Sequence, residues 1–264
     1  MIKYIFCDLD GTLYNNGISN DDIDSISNFE KNGVFNVATG RIFKQGYKMV
    51  KNYISLNGYF ICENGSFIYD NNLEIIFKGT LDDDIAKRVI KSFENIEINK
   101  SVDAQIYFKY KGETVILEES KAFSHYSKDY IIDPEFTKKE SFDNMIGNIG
   151  VACEDEKELA RIEKILIDEF GNELDIYFSS ESTINIVPMG VSKESGINFV
   201  IEKENISHDE IATIGDSPND ISMLKGFKYS FAMENGRDDV KESASYVVKN
   251  VSEAISIINS INSR

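Results

Sequence analysis

The sequence predicts an α/β protein, a doubly wound and mostly parallel sheet interrupted by an inserted α+β domain. Three observations predict it. Short apolar runs alternate with helical patterns at both ends of the 264-residue chain. The texture changes near Thr80 and reverts after Val187. Acidic or hydroxyl-bearing signatures follow directly on the apolar runs, where sheets of this kind gather their ligands. The expected boundaries are 1–80 with 188–264 for the outer domain and 81–187 for the inserted one.

Residues 2–7 (IKYIFC) read as a buried strand ending at Asp8. Ser19 opens a helix whose Ile23, Ile26 and Phe29 share one face, and Gly33 ends it. Residues 34–38 form a second strand that runs into Thr39-Gly40-Arg41, with a helix expected over 43–52. Residues 66–69 and 73–77 flank Asn71-Asn72 as a hairpin. Thr80 and Asp83 have the spacing of a capping box for a helix carrying Ile85, Val89, Ile90 and Phe93. Strands follow at 105–110, 114–117, 146–153 and 175–178, with a helix at 156–170 and irregular chain over 118–144. The aromatics Tyr107, Phe108, Tyr110, Phe123 and Tyr126 read as the core of this block. Alternation then resumes. A strand at 211–214 leads into Gly215-Asp216, and a helix carries Ile221, Met223 and Leu224. Strands at 229–233 and 246–248 precede a final helix from Ser252.

Composition narrows the function. A net charge of −17 argues against nucleic acid or an anionic membrane as partner, since both demand a basic face. No apolar run approaches the roughly 18 residues that cross a bilayer, and the N-terminus meets an acid too early for a signal peptide. A cytoplasmic protein is expected. Cys7, Cys62 and Cys153 are odd in number and lie within apolar runs, as buried free thiols do. Two histidines, His125 and His208, are too few for a multi-histidine zinc site.

Four clusters carry the chemistry. Asp8-Leu9-Asp10-Gly11-Thr12-Leu13 leaves a strand with two carboxylates and a glycine turn. Thr39-Gly40-Arg41 offers a hydroxyl and backbone N–H groups to phosphate oxygens. Lys193, at a helix start, can neutralise a phosphate as a point charge. Gly215-Asp216-Ser217-Pro218-Asn219-Asp220 again sets two carboxylates at a strand end. Asp8, Asp10, Asp216 and Asp220 cannot all stay ionised in one pocket without a cation, and an all-oxygen donor set points to Mg²⁺. Read singly, each cluster has an ordinary explanation. Asp-Gly is a turn pair, Thr39 and Asp216 could cap helices, Asp220 could be a helix-face acid, Lys193 a surface lysine and Arg41 an ordinary ion-pair partner, and Asp82-Asp83-Asp84 suits a helix start.

Together and in this order, DLDGTL, ATGR, the lysine after VPMGVS and GDSPND resemble the four motifs of the haloacid dehalogenase-like (HAD) hydrolase superfamily. The likeness spans essentially the whole chain and is nearest to the Cof-type phosphatases, whose α/β cap is inserted between the second and third motifs. Glu63-Asn64-Gly65 resembles a further Asn-Gly signature. The resemblance implies hydrolysis of small phosphomonoesters, with sugar phosphates and related metabolites foremost. It makes Asp8 the nucleophile and Asp10 the acid/base. Mg²⁺ would be held by the Asp8 side chain, the Asp10 carbonyl and Asp216, with Asp220 close behind. Thr39, Gly40, Lys193 and Asn219 would serve the phosphate, and Arg41 and Asn64 the substrate side. Glu194 departs from the pattern, standing where relatives commonly have glycine. It is expected to point to water. A phosphohexomutase would use the same Asp8 and Asp10, and dependence on a sugar bisphosphate would distinguish it. A phosphorylated regulatory module of the receiver type would also set an Asp, a Thr and a Lys on such a sheet, but in a far shorter chain.

Overall fold

The structure, a computed structural model, describes residues 1–99, 101–123 and 129–263. His125 and Tyr126 lie outside the described residues. The chain forms two compact units, Met1–Phe77 with Ser192–Arg264, and Lys78–Val191. Among the described residues no helix is long and apolar enough to cross a membrane.

The first unit begins with β1 (Tyr4–Cys7), α1 (Asn20–Phe29), β2 (Val34–Ala38), α2 (Phe43–Val50), β3 (Phe60–Cys62), β4 (Phe67–Tyr69) and β5 (Ile75–Lys78). The second unit contributes α3 (Asp83–Asn95), β6 (Ala104–Tyr110), β7 (Glu113–Ile116), β8 (Ile131–Ile132), β9 (Ile146–Cys153), α4 (Glu156–Phe170), β10 (Leu174–Ser180) and β11 (Thr183–Pro188). The chain then returns through α5 (Lys193–Glu204), β12 (Ile211–Gly215), α6 (Ile221–Gly226), β13 (Tyr229–Met233), α7 (Asp238–Glu242), β14 (Tyr246–Val248) and α8 (Val251–Asn262).

The eight strands of the first unit lie in the order β14-β13-β12-β1-β2-β3-β4-β5. From β14 to β3 every pairing is parallel, and β4 turns back antiparallel on β3. From β1 the chain winds outward through β2 and β3, and after the insertion it winds the other way through β12, β13 and β14. The winding therefore reverses between β1 and β12, the switch point beyond whose carboxyl ends sheets of this kind gather their ligands. Period-two alternation explains the buried strands. Phe6, Ala38 and Ile61 join Ile197, Val200 and Ile201 of α5 and Met223 of α6 in one apolar layer. Helices α1 and α8 pack together against β2, β12 and β14 on the opposite face. Each buried Phe, Ile, Val or Met side chain of this layer contributes about 1.5–3 kcal/mol.

Ser19 caps α1 as its position suggested, its hydroxyl accepting from Asp22 N at 3.1 Å and donating to Asp22 Oδ2 at 2.7 Å. At the other end of α1, Glu30 is half-buried and stands where the helix dipole disfavours an acid. Burial pushes its carboxyl from the usual 4.5 up to about 6, against a hydrogen bond from the Asn57 backbone. A raised folded pKa means that stability is present at low pH and lost as the group ionises. Glu30→Gln is therefore expected to raise stability at pH 7.5 by about 1 kcal/mol or less, allowing for solvent screening, and to give no gain at pH 4.5. Thermal melts of both proteins at the two pH values test this.

The second unit is a six-stranded sheet in the order β10-β11-β9-β6-β7-β8. Helices α3 and α4 cover one face, packing Val89, Ile90, Leu159, Ile162 and Leu166 against Ile106, Phe108, Ile149 and Val151. Phe108 and Phe136 rings lie 4.6 Å apart within this layer, and Tyr110 meets Phe136 edge-on at 5.2 Å. One local expectation needs correction. Thr80 and Asp83 do not form a capping box: α3 begins at Asp83 after Asp82, and no side chain caps it. Asp83 instead accepts from Ser141 Oγ, Phe142 N and Asn144 N at 2.6–2.8 Å, while its own N–H reaches Asn144 Oδ1 at 2.9 Å. Pinning a distant loop took precedence over capping. Strands β3, β8 and β11 and helix α7 went unread. Thr183 and Asn185 break the apolar run of β11, and α7 has five residues with Val240 its buried anchor.

Candidate active site

The site is built from the carboxyl ends of β1, β2 and β12. Asp8 follows β1, and its N–H continues the ladder to Ile214 O at 2.9 Å, which fixes its backbone beside β12. The chain then turns tightly, with Tyr14 N bonded to Leu9 O at 2.7 Å and Gly11 N to Tyr14 O at 3.2 Å. Gly11 sits at φ +79°, and a Cβ there would fall 2.5 Å from Asp216 Oδ2. Only glycine meets both demands, which explains the Asp-Gly step in physical terms. Thr12, buried, donates from Oγ1 to Asp216 Oδ1 at 2.5 Å and joins the first cluster to the fourth.

Lys193 opens α5 behind a reciprocal cap between Ser192 and Ser195. Gly65 presses on that helix start, since a Cβ on it would lie 2.2 Å from Ser192 O. The lysine is completely buried, and its Nζ donates to Asp8 Oδ1 and Asp220 Oδ1, each at 2.6 Å. Asp220 Oδ2 accepts from Asp216 N and Ser217 N, each at 3.0 Å, so both of its oxygens are committed. Asp8 Oδ2, by contrast, receives no hydrogen bond from a described residue. Pro218 fits the first turn of the short 3₁₀ segment Pro218–Asp220, as expected. Glu194 makes no bond to Lys193. It is half-buried beside Gly226, where a Cβ would come within 2.5 Å of Glu194 Oε1.

Asp8, Asp216 and Asp220 each offer an oxygen within 4.8 Å of the others. Burial pushes the Asp8 carboxyl well above the usual range, Lys193 opposing and Asp220 and Asp216 adding to the rise. Burial and Asp220 likewise raise Asp216, against the bond from Thr12. For Lys193 burial works against the charge, but Asp220 and Asp8 outweigh it and hold the ammonium above the ordinary lysine value. One ammonium thus faces three carboxyls in low dielectric. The excess negative charge and the all-oxygen donor set fit a hard divalent cation.

The Asp10 carboxylate is not in this cluster. It is half-exposed and held bidentately by Arg41, with Nε to Oδ2 and Nη2 to Oδ1 both at 2.7 Å. Thr39, wholly buried, accepts at Oγ1 from Arg41 N at 3.2 Å. It does not cap α2, whose cap position is Ile42 with no side-chain bond. Residues 39–41 form the turn before the helix. Asn219 Nδ2 donates to Asn64 Oδ1 at 2.9 Å and makes no bond to Lys193. Gly40 packs on this pair, its Cβ position being 3.1 Å from Asn64 Oδ1. Asn64 Nδ2 and Asn219 Oδ1 keep no partner among the described residues, leaving a donor and an acceptor beside Gly40. The structure thus brings Asp8, Lys193, Asp216 and Asp220 into one cluster, and gathers Gly40, Asn64 and Asn219 into another. Thr12 and Ser217, which hold Asp216 at Oδ1 and Oδ2, were not read from the sequence; their signal was membership of the first and fourth motifs.

Comparison with known proteins fits this geometry. Residues 5–261 match the model of a family described as haloacid dehalogenase-like hydrolase. The chain is 28% identical over 251 residues to the 5-amino-6-(5-phospho-D-ribitylamino)uracil phosphatase of Bacillus subtilis, covering 93% of this chain and 89% of that protein. A crystal structure of a Thermotoga maritima protein superimposes with a TM-score of 0.80 at 21% identity, covering 98% of this chain and 97% of the other. A sugar phosphatase of HAD subclass IIB gives a TM-score of 0.78 at 20% identity, covering 97% and 99%. At such identities the two structures show a shared fold. The family match extends over nearly every residue, and on it the chain is an enzyme that belongs to the haloacid dehalogenase-like hydrolase family.

Proposed function

We propose that this hydrolase is a magnesium-dependent phosphatase of small phosphomonoesters that works through a phosphoryl group carried on Asp8. One observation carries the reading: the buried Asp8 has one oxygen fixed by Lys193 and the other with no hydrogen bond from a described residue, beside Asp216 and Asp220. That second oxygen attacks phosphorus and the ester P–O bond breaks, with Asp10 giving its proton to the departing alcohol oxygen. Asp10 then takes a proton from water as the water oxygen attacks phosphorus, the P–O bond to Asp8 breaks, and phosphate leaves. Arg41 holds both Asp10 oxygens and so fixes where that carboxyl stands. Lys193 neutralises charge on the transferring group, while Thr39, Gly40 and Asn219 serve its oxygens. Asp8, Asp216 and the Asp10 carbonyl would hold Mg²⁺, with Asp220 behind them anchoring Lys193. Such an ion would align the nucleophile and neutralise phosphoryl charge.

Substrate choice is assigned to the inserted domain, proposed at 81–187, and catalysis to 1–80 with 188–264. Two relatives, from Bacillus subtilis and Escherichia coli, are named for a phosphoribityl-aminouracil substrate, which places polyol phosphates first in a panel. Phosphate release from p-nitrophenyl phosphate and that panel is the experiment. Turnover with Mg²⁺ and its loss by at least about 100-fold after chelation are expected. A folded, metal-loaded wild type that releases no phosphate from any ester would overturn the reading.

A further inference from the structure

The hairpin between β3 and β4 closes in a way that its own strands do not require. Residues 63–66 join Cys62 to Phe67, which pair directly. A four-residue hairpin loop is ordinarily built around a type I turn, whose central residues keep φ negative. Here Glu63, Asn64 and Gly65 stand in succession at φ +52°, +57° and +109°, and all three are buried. Residues with a Cβ seldom adopt that backbone, and two of these three carry one. The strain serves something outside the hairpin.

The left-handed path joins three motifs. Glu63 N donates to Arg41 O and Asn64 N to Thr39 O, each at 3.0 Å, which lays the turn on the backbone of the second motif. Asn219 Nδ2, of the fourth motif, donates to Asn64 Oδ1 at 2.9 Å. Gly65 meets the third, for a Cβ on it would lie 2.2 Å from Ser192 O and 2.8 Å from Ser192 C. That carbonyl forms the peptide bond to Lys193 and is the first acceptor of α5, taking Gly196 N at 3.0 Å. What stands against Gly65 is therefore backbone, which cannot swing aside as a side chain does. The lysine at the end of that peptide has little slack, since it is fully buried and its Nζ holds Asp8 and Asp220 at 2.6 Å each.

We propose that Gly65 is a positioning residue for Lys193: the left-handed turn, anchored on the backbone of Thr39 and Arg41, sets where α5 starts and so where the ammonium meets Asp8. It rests on the phosphatase reading above and deepens it. A methyl group at Gly65 must push the start of α5 away from the turn. A displacement on the order of 1 Å at a reacting group costs about 100-fold in rate.

The test is a double-mutant cycle of Gly65→Ala with Lys193→Met, read by turnover of p-nitrophenyl phosphate and by thermal melts at pH 8. Gly33→Ala is the control. Gly33 precedes β2 at the end of the sheet away from the site, and a Cβ there would also strike backbone, at 2.8 Å from Lys3 O. Gly65→Ala is expected to lower kcat by about 100-fold. Its loss of melting temperature should shrink by about half or more once Lys193 is replaced, because part of that loss is the lysine drawn off its two acids. Gly33→Ala should lose the same amount in both backgrounds and keep kcat within about threefold of wild type. If Gly65→Ala does not fold, Gly196→Ala takes its place in the cycle. Its Cβ would fall 2.9 Å from Ile61 Cγ2 and 3.6 Å from Gly65 Cα, a milder push on the same helix, with a loss of about tenfold in kcat expected. Equal melting losses in the two backgrounds, or a kcat within about threefold of wild type, overturn the proposal and leave Gly65 a packing residue of the hairpin. A wild type that releases no phosphate is a different outcome. It removes the phosphatase reading and this inference with it.

Discussion

Asp8→Asn is expected to lower phosphate release by at least about 10⁴-fold while the protein stays folded. Asparagine has nearly the volume of aspartate and keeps an oxygen for the Lys193 ammonium, now 2.6 Å from Asp8 Oδ1. It lacks the anionic second oxygen on which the covalent step depends. The substitution also removes a charge that burial already opposes, since the Asp8 carboxyl is pushed well above its usual range. Loss of turnover therefore cannot be assigned to loss of fold. Initial rates on p-nitrophenyl phosphate, paired with a thermal melt, measure both. A melting temperature within a few degrees of wild type and a collapsed rate is the expected pair. A rate within tenfold of wild type would mean that no phosphoryl group passes through Asp8.

What the sequence disclosed divides along physical lines. Strand ends were legible because burial on both faces of a parallel sheet leaves a continuous apolar run that stops abruptly. Tyr4–Cys7 stops at Asp8, Val34–Ala38 at Thr39, and Ile211–Gly215 at Asp216. Helix starts were legible where a local hydroxyl caps them, as at Ser19, and misread where a distant partner competes, as at Asp83 with Ser141 and Asn144. The pairings within the site were not legible at all. Thr12 and Asp216 are 204 residues apart, and Lys193 and Asp8 are 185 apart. No local periodicity reports which atoms meet over such distances. The same holds for Arg41, whose fork on Asp10 depends on the turn geometry of two separate strand ends. Asp220 shows the limit most clearly. Its motif position marks it as a metal-side acid, yet its oxygens are spent on Lys193 and on two backbone N–H groups.

Lys193→Met should give the largest change in stability of any single substitution in the cluster, and one that depends on pH. The ammonium is fully buried between Asp8, 4% exposed, and Asp220, wholly buried. Methionine fills most of the space but leaves two carboxylates facing each other and Asp216 without a protein cation. Breaking a buried ion pair from one side costs about 3–5 kcal/mol, on the order of 10 °C in melting temperature for a chain of this size. The sign with pH follows from the acids. Without Lys193 the folded pKa values of Asp8 and Asp216 rise further above the unfolded carboxylate value, so the folded state binds more protons than the unfolded one. Stability is then retained at low pH and lost as pH climbs through the raised values. The deficit against wild type should be small at pH 5, large at pH 8, and partly relieved at pH 8 by Mg²⁺, which supplies the missing positive charge. Adding Asp220→Asn to Lys193→Met should recover much of the loss at pH 8 with no recovery of turnover, because the charge on the transferring phosphate still has no lysine to meet it. Melts of the single and double variants at the two pH values decide the matter: an equal deficit at both would show that Lys193 contributes packing rather than charge.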